Sequence, residues 1–209
     1  MVSEGVDIVG VIIAGGKARR MGGGDKCLLP LGRGVLLDHI IARLRPQVAA
    51  LALNANGAAG RFASFGVPVF ADSLGDDIGP LSGILAALEW AAATYPRCRY
   101  VLTVAGDTPF FPLDLGARLS ATAAASRADI VVATADGHDE PLFALWSTAL
   151  AEDLRAAIAA GDRKIMQWAG RHRLARVAFD DGEAAFFNIN TPDDLAAAAA
   201  RLGGNEHGR

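Results

Sequence analysis

An apolar, β-branched run from Ile8 to Ile13 opens directly into the loop Ile13 to Lys26, IAGGKARRMGGGDK, which holds five glycines, four cations and one carboxylate. A buried strand that ends in such a loop leaves few folds open. Glycines let the backbone approach an anion and turn its N–H groups inward, and Lys17, Arg19, Arg20 and Lys26 supply charge that peptide dipoles alone do not. The alternative, an ordinary solvated connection, fits poorly with so long and glycine-rich a segment. The pattern points to a triphosphate. It is neither common phosphate motif: Gly16-Lys17 is followed by Ala18 where a Walker A loop needs Ser or Thr, and Asp25, Lys26 and Cys27 after Gly22-Gly23-Gly24 miss the last glycine of a dinucleotide fingerprint.

The order of elements extends this reading. Apolar runs at Ile8 to Ile13, Val48 to Leu53, Val67 to Phe70, Tyr100 to Ala105 and Ile130 to Ala133 read as buried strands, and helices are expected at Val35 to Arg45, Leu81 to Thr94 and Pro112 to Ala125. This is the βαβ alternation of a parallel sheet. Further along come a strand at Pro141 to Trp146, a helix at Ala149 to Ala160, a short helix at Lys164 to Ala169 and a strand at Leu174 to Phe179. A last helix is capped by Thr191, begins at Pro192 and is expected to stop at Gly203, leaving 204–209 as a frayed tail. Without a Pro/Gly/Ser-rich linker, 1–203 reads as one domain.

Composition narrows the function. A net charge of −3, with the cations gathered in one loop, argues against nucleic acid as a partner. Cys27 and Cys98 form no CxxC and read as free thiols of a reducing compartment. The amino-terminal apolar run is too short for a signal sequence or a membrane span, so cytoplasm is the expected location.

Ligands of open α/β sheets sit beyond the carboxyl ends of the strands. Asn54-Ala55-Asn56, Asp72-Ser73 and Gly106-Asp107-Thr108-Pro109 all fall on that edge beside the glycine-rich loop. Asp107 is the sharpest candidate, because magnesium on a triphosphate takes one or two carboxylates plus phosphate oxygens and water; the alternative is a simple turn. Asp72 can accept from two adjacent N–H groups, as on the Watson–Crick edge of guanine, or from a ribose diol, or serve only a strand-end turn. Asn54 and Asn56 can donate to a base or sugar. Asn188 and Asn190 point the same way if extended and can both reach the cleft, or else prepare the final helix cap. His39, His138, His172 and His207 lack metal spacing, and no nucleophile elbow is present, so covalent catalysis is not indicated.

Taken together, the first loop, Asn54, Asp72, Gly79-Pro80-Leu81-Ser82-Gly83, Gly106-Asp107-Thr108-Pro109 and Phe187-Asn188-Ile189-Asn190-Thr191-Pro192 resemble the molybdenum cofactor guanylyltransferases, of the MobA-like nucleotidyltransferases, from about Gly10 to Leu202. The first motif alone also admits sugar-phosphate nucleotidyltransferases. The resemblance implies a three-layer α/β/α Rossmann-like fold with a mostly parallel central sheet, and transfer of GMP from GTP to the terminal phosphate of molybdenum-molybdopterin. It implies nucleotide contacts at Ile13, Ala14, Gly15, Lys26, Asn54, Asp72 and Asp107, Mg²⁺ on Asp107, and acceptor contacts at Asn188 and Asn190. Lys26, Asp107 and Arg20 are then expected to carry the chemistry, with molybdenum-insertion proteins and molybdoenzyme chaperones as candidate partners. Gly15-Gly16 and Gly79 to Gly83 favour GTP over the CTP of the related cytidylyltransferases.

Overall fold

The computed structural model describes residues 8–15, 24–75, 78–179 and 185–206. Its centre is a seven-stranded sheet. The strands are β1 (Ile8–Ile13), β4 (Ala50–Asn54), β5 (Val69–Phe70), β6 (Tyr100–Ala105), β7 (Ile130–Ala135), β8 (His138–Ser147) and β9 (Leu174–Ala178), in the order β5-β4-β1-β6-β8-β7-β9. All pairings are parallel except the two made by β8, so the mostly parallel sheet is as expected. A two-stranded hairpin, β2 (Pro30–Leu31) with β3 (Gly34–Val35), stands apart from the sheet.

Alternation along β1 sorts side chains onto two faces and makes three layers. Ile12 joins Leu53 and Val104 under α1 (Leu36–Leu44) and α3 (Leu115–Ser126), through Leu37, Ile40, Leu44, Leu115 and Leu119. Val9, Val11 and Ile13 face the opposite way, onto α2 (Pro80–Thr94), α4 (Ala151–Ala159) and α5 (Ile165–Ala169), through Leu81, Ile84, Leu88, Ile158 and Trp168. Each fully buried Leu or Ile in these layers contributes about 1.5–3 kcal/mol. Among the described residues no helix is long and apolar enough to cross a membrane.

α6 (Pro192–Glu206) closes the site end. Its first turn is fixed by a reciprocal cap: Asp194 N–H donates to Thr191 Oγ1 at 3.2 Å, while the Asn190 and Thr191 N–H groups donate to Asp194 Oδ2, each at 2.8 Å. The helix does not stop at Gly203 but runs on to Glu206. Its apolar stripe, Leu195, Ala198 and Leu202, packs on Leu31 and Leu36, and this contact carries the helix past the glycine. Two strands also begin later than expected. β5 starts at Val69 because Pro68 has no N–H to offer, and β4 starts at Ala50, after Val48 has packed its methyls under Gly10.

β8 opens space beside the site. It follows β6 only as far as Thr103 opposite Ala144, and against β7 the register jumps from Val132 opposite Ala144 to Ala133 opposite Glu140. Pro141, unable to donate, lies in the jump with Leu142 and Phe143, a bulge of the kind that re-aims side chains at sheet ends. The freed Leu142 carbonyl accepts the Thr103 hydroxyl at 2.8 Å, and Thr103 Oγ1 in turn accepts Trp146 Nε1–H at 2.8 Å.

Candidate active site

The carboxyl ends of β5, β4, β1 and β6 and the first turn of α2 surround a cleft of about 280 Å³ lined by Ile13, Asn54, Asp72, Gly83, Asp107 and Leu142, with Gly15 at its rim. A much smaller recess of about 20 Å³ adjoins it between Ala14, Lys26 and Gly106. β1 is stitched to both neighbours at this end: Ala14 N–H donates to Asn54 O and Gly106 N–H to Ile13 O, each at 2.9 Å. Expected nucleotide residues on four separate strand ends are thus brought together.

Asp72 is held, not free. Oδ1 accepts Asn54 Nδ2–H at 2.9 Å, Oδ2 accepts Asn56 Nδ2–H at 3.1 Å, and the Asp72 N–H donates back to Asn56 Oδ1 at 2.8 Å. Each of the two asparagine amides gives one N–H to the carboxylate. Each carboxylate oxygen keeps a second acceptor position, so Asp72 still presents an acceptor pair with its orientation fixed. Gly83 makes this arrangement possible: a Cβ there would stand 2.8 Å from Asn54 Oδ1 and 3.1 Å from Ile13 Cγ2. Gly79, at φ +87°, turns the chain into α2, whose amino terminus then faces the cleft and favours an anion.

Lys26 anchors the other end. It lies in a one-turn 3₁₀ segment, Lys26–Leu28, and only 8% of it is exposed. Its ammonium donates to Asp107 Oδ2 at 2.7 Å, Asn190 Oδ1 at 2.6 Å and Asn188 Oδ1 at 3.3 Å. Three donors meet three acceptors, which offsets the cost of burying the charge. Because an ammonium only donates, both amides must turn their oxygens to it, and their NH₂ groups face away with no partner among the described residues. Asn188 and Asn190 therefore do point the same way, while Ile189 between them is buried and its N–H donates to Asp107 O at 3.0 Å. The helix-cap alternative holds as well, through the Asn190 N–H. Among the described residues Asp107 Oδ1 accepts only the Thr108 hydroxyl, at 3.2 Å.

Neighbouring groups complete the electrostatics. Burial first, and then the Asp25 carboxylate, push the Cys27 thiol up to about 12, which disfavours the thiolate near neutral pH. Arg61, which the sequence reading passed over, clamps Asp25 with Nε and with Nη2, the latter at 3.1 Å. The same guanidinium donates to the carbonyls of Asn56 and Ala58 and lies 4.3 Å from the Phe62 ring centroid. Arg20, with Lys17 and Arg19, lies outside the described residues.

A deep cleft holding a braced carboxylate at one end and a lysine–aspartate pair at the other suits a nucleotide and a second, phosphate-bearing reactant. Residues 10–177 match the family described as the MobA-like NTP transferase domain. The chain belongs to this family. As a MobA-like NTP transferase it is similar to a protein of Mesorhizobium japonicum named molybdenum cofactor guanylyltransferase, 50% identical over 201 residues, covering 94% of this chain and 96% of that one. A protein of the same name from Nitrobacter hamburgensis is 47% identical over 191 residues, covering 90% and 91%. Among solved structures, molybdopterin-guanine dinucleotide biosynthesis protein A from Archaeoglobus fulgidus superposes with a TM-score of 0.77 at 26% identity, covering 94% of this chain and 99% of that one. The MobA-like family makes the chain a nucleotidyltransferase, and its three-layer architecture is that of its structural neighbours.

Proposed function

We propose that this nucleotidyltransferase moves GMP from GTP to the terminal phosphate of molybdenum-molybdopterin, giving the guanine dinucleotide and pyrophosphate. The carrying observation is the Lys26 ammonium, which bonds Asp107 on the nucleotide side and Asn188 and Asn190 on the other. The names of the relatives support the choice of nucleotide and acceptor. In the step itself an oxygen of the acceptor phosphate attacks the α-phosphorus in line, a new P–O bond forms, and the bond to the β-phosphate breaks with its electrons leaving on pyrophosphate. Positioning and charge compensation supply the rate, with no protein nucleophile.

Asp72 accepts the guanine N1–H and N2–H on its two free acceptor positions. Ile13, Ala14 and Gly15 line the base and sugar, and the Asn188 and Asn190 amides donate to the acceptor. Lys26 stands against the charge developing on the transferred phosphoryl group, and Arg20 holds the departing pyrophosphate.

The donor set also fits Mg²⁺. No cluster of three or more His, Cys, Asp or Glu able to hold a metal occurs among the described residues, and an ion that takes one carboxylate plus phosphate oxygens and water needs none. Asp107 is the residue that would hold it, through lone pairs left by Lys26 and Thr108. When bound, Mg²⁺ supplies charge neutralisation at the phosphate oxygens.

Pyrophosphate release measured from GTP and from CTP, each with and without molybdenum-molybdopterin, tests the reading. Release is expected from GTP only with that acceptor. Release from CTP instead, or from GTP with mannose-1-phosphate and not with the pterin, overturns it.

A further inference from the structure

Two groups of side chains do the work of the cleft, and they sit on pieces of chain with no sheet hydrogen bonds to each other. Asp72 and its two asparagines belong to the ends of β4 and β5. Lys26 belongs to a single 3₁₀ turn that follows the glycine-rich loop, a weak mount for a buried cation. One guanidinium touches both. Arg61, in the 3₁₀ run Ala59–Phe65, grips both oxygens of Asp25, the residue before Lys26, and also the carbonyl of Asn56, whose side chain holds Asp72. The contact to Asp25 is an ion pair, with about a quarter of each side chain exposed. The guanidinium plane lies over the Phe62 ring, and Phe62 is fully buried, so the fork has a rigid backing.

We infer that Arg61 is a positioning residue that sets the lysine turn and the base-reading carboxylate at a fixed separation, so that nucleotide base and α-phosphate are located by one frame. It lines neither the cleft nor the adjoining recess. Its action is through Asp25 on one side and Asn56 on the other, and the two arms predict separable defects. A misplacement near 1 Å at the reacting groups costs up to about 100-fold in rate, and loss of a hydrogen bond to a charged group weakens binding about 10- to 100-fold.

The inference rests on the roles proposed for Asp72 and Lys26. Its test uses three variants of the full chain: Arg61→Met, Asp25→Asn and Asn56→Ala. Asp25→Asn is expected to lower kcat about tenfold with KM for GTP nearly unchanged. Asn56→Ala is expected to raise KM for GTP about tenfold and to bring the kcat/KM ratio of GTP to inosine triphosphate towards one. Arg61→Met combines both defects. Arg61→Lys rescues neither, because a compact ammonium lacks the planar fork whose separate nitrogens grip Asp25 side-on while reaching the Asn56 carbonyl. GTP binding followed by calorimetry without acceptor gives the affinity arm independently of turnover.

If Arg61→Met lowers the melting temperature but leaves kcat, KM and the inosine ratio within twofold, Arg61 is structural only and the inference fails. It fails equally if Arg61→Met shows one defect without the other. Should Arg61→Met not fold, rescue of both defects by Arg61→Lys overturns it. The nucleotide reading fails separately: if the wild type uses CTP, the same kcat and KM partition is read with CTP.

Discussion

In the parallel half of the sheet, β5-β4-β1-β6, the polar residues that follow the strands turn into one shared cleft: Asn54, Asp72 and Asp107 come from three strand ends, and Lys26 pairs with Asp107 in the adjoining recess. In the other half, β8-β7-β9, charged residues pair across strands and face solvent. Arg176 binds both oxygens of Asp139, and Arg173 does the same to Asp129. The cause is direction. Parallel strands deliver their carboxyl ends to one edge, so long connections converge on it. Reversing β8 replaces one such connection by the tight turn Asp136-Gly137, both residues at positive φ, with no room for a cluster. Charge in the first half converges on the cleft and in the second pairs across the sheet.

The sharpest way to break this contrast is at Asp107. Asp107→Asn is expected to lower kcat about 100-fold or more at saturating magnesium, and near-normal pyrophosphate release would place Asp107 with the structural carboxylates. A smaller effect belongs to Asn190→Ala: KM for the pterin acceptor rises about tenfold while KM for GTP stays within twofold, and the opposite split would move Asn190 to the nucleotide side. The smallest effects lie in the mixed half. Asp139→Ala leaves turnover unchanged and lowers stability by under about 1 kcal/mol in denaturant titration.

Asp129 sharpens the same point through pH. Hydrogen bonds from Arg173, chiefly, hold its carboxyl below the ordinary range, so the folded pKa is depressed. Its contribution is fully present above the unfolded carboxylate pKa and is lost as pH falls through the folded one. The melting-temperature advantage of wild type over Asp129→Ala should therefore hold at neutral pH and vanish on acidification below the carboxylate range. An advantage that grows in acid would contradict the pairing.

Much of this was legible in the chain. Strand identity followed from apolar runs, and the edge carrying the cleft followed from where Asn54, Asp72 and Asp107 fall. Spacing also gave the common direction of Asn188 and Asn190, since a period of two survives in any extended segment. What was not legible depends on partners distant in sequence. Arg61 sits in a small, apolar stretch, AGRFASF, and its significance lies in Asp25, 36 residues away. Nothing local says that the asparagine amides brace Asp72. The β2–β3 hairpin has two residues per strand, below what periodicity can detect. Gly203 misled because a stop signal was outweighed by Leu202 packing on the hairpin.

The closed pairs in the cleft have a consequence for how far its electric field reaches. Lys26 with Asp107, and Arg61 with Asp25, are contact dipoles whose potential dies away faster than that of a lone charge, and salt at physiological strength screens what is left within about 8 Å. Among these described residues the uncompensated charge is negative, that of Asp72. An approaching polyanion is thus arranged at contact by these pairs and is not drawn in by them from a distance. The described pairs thus serve placement at short range, so added salt should leave kcat for GTP nearly unchanged.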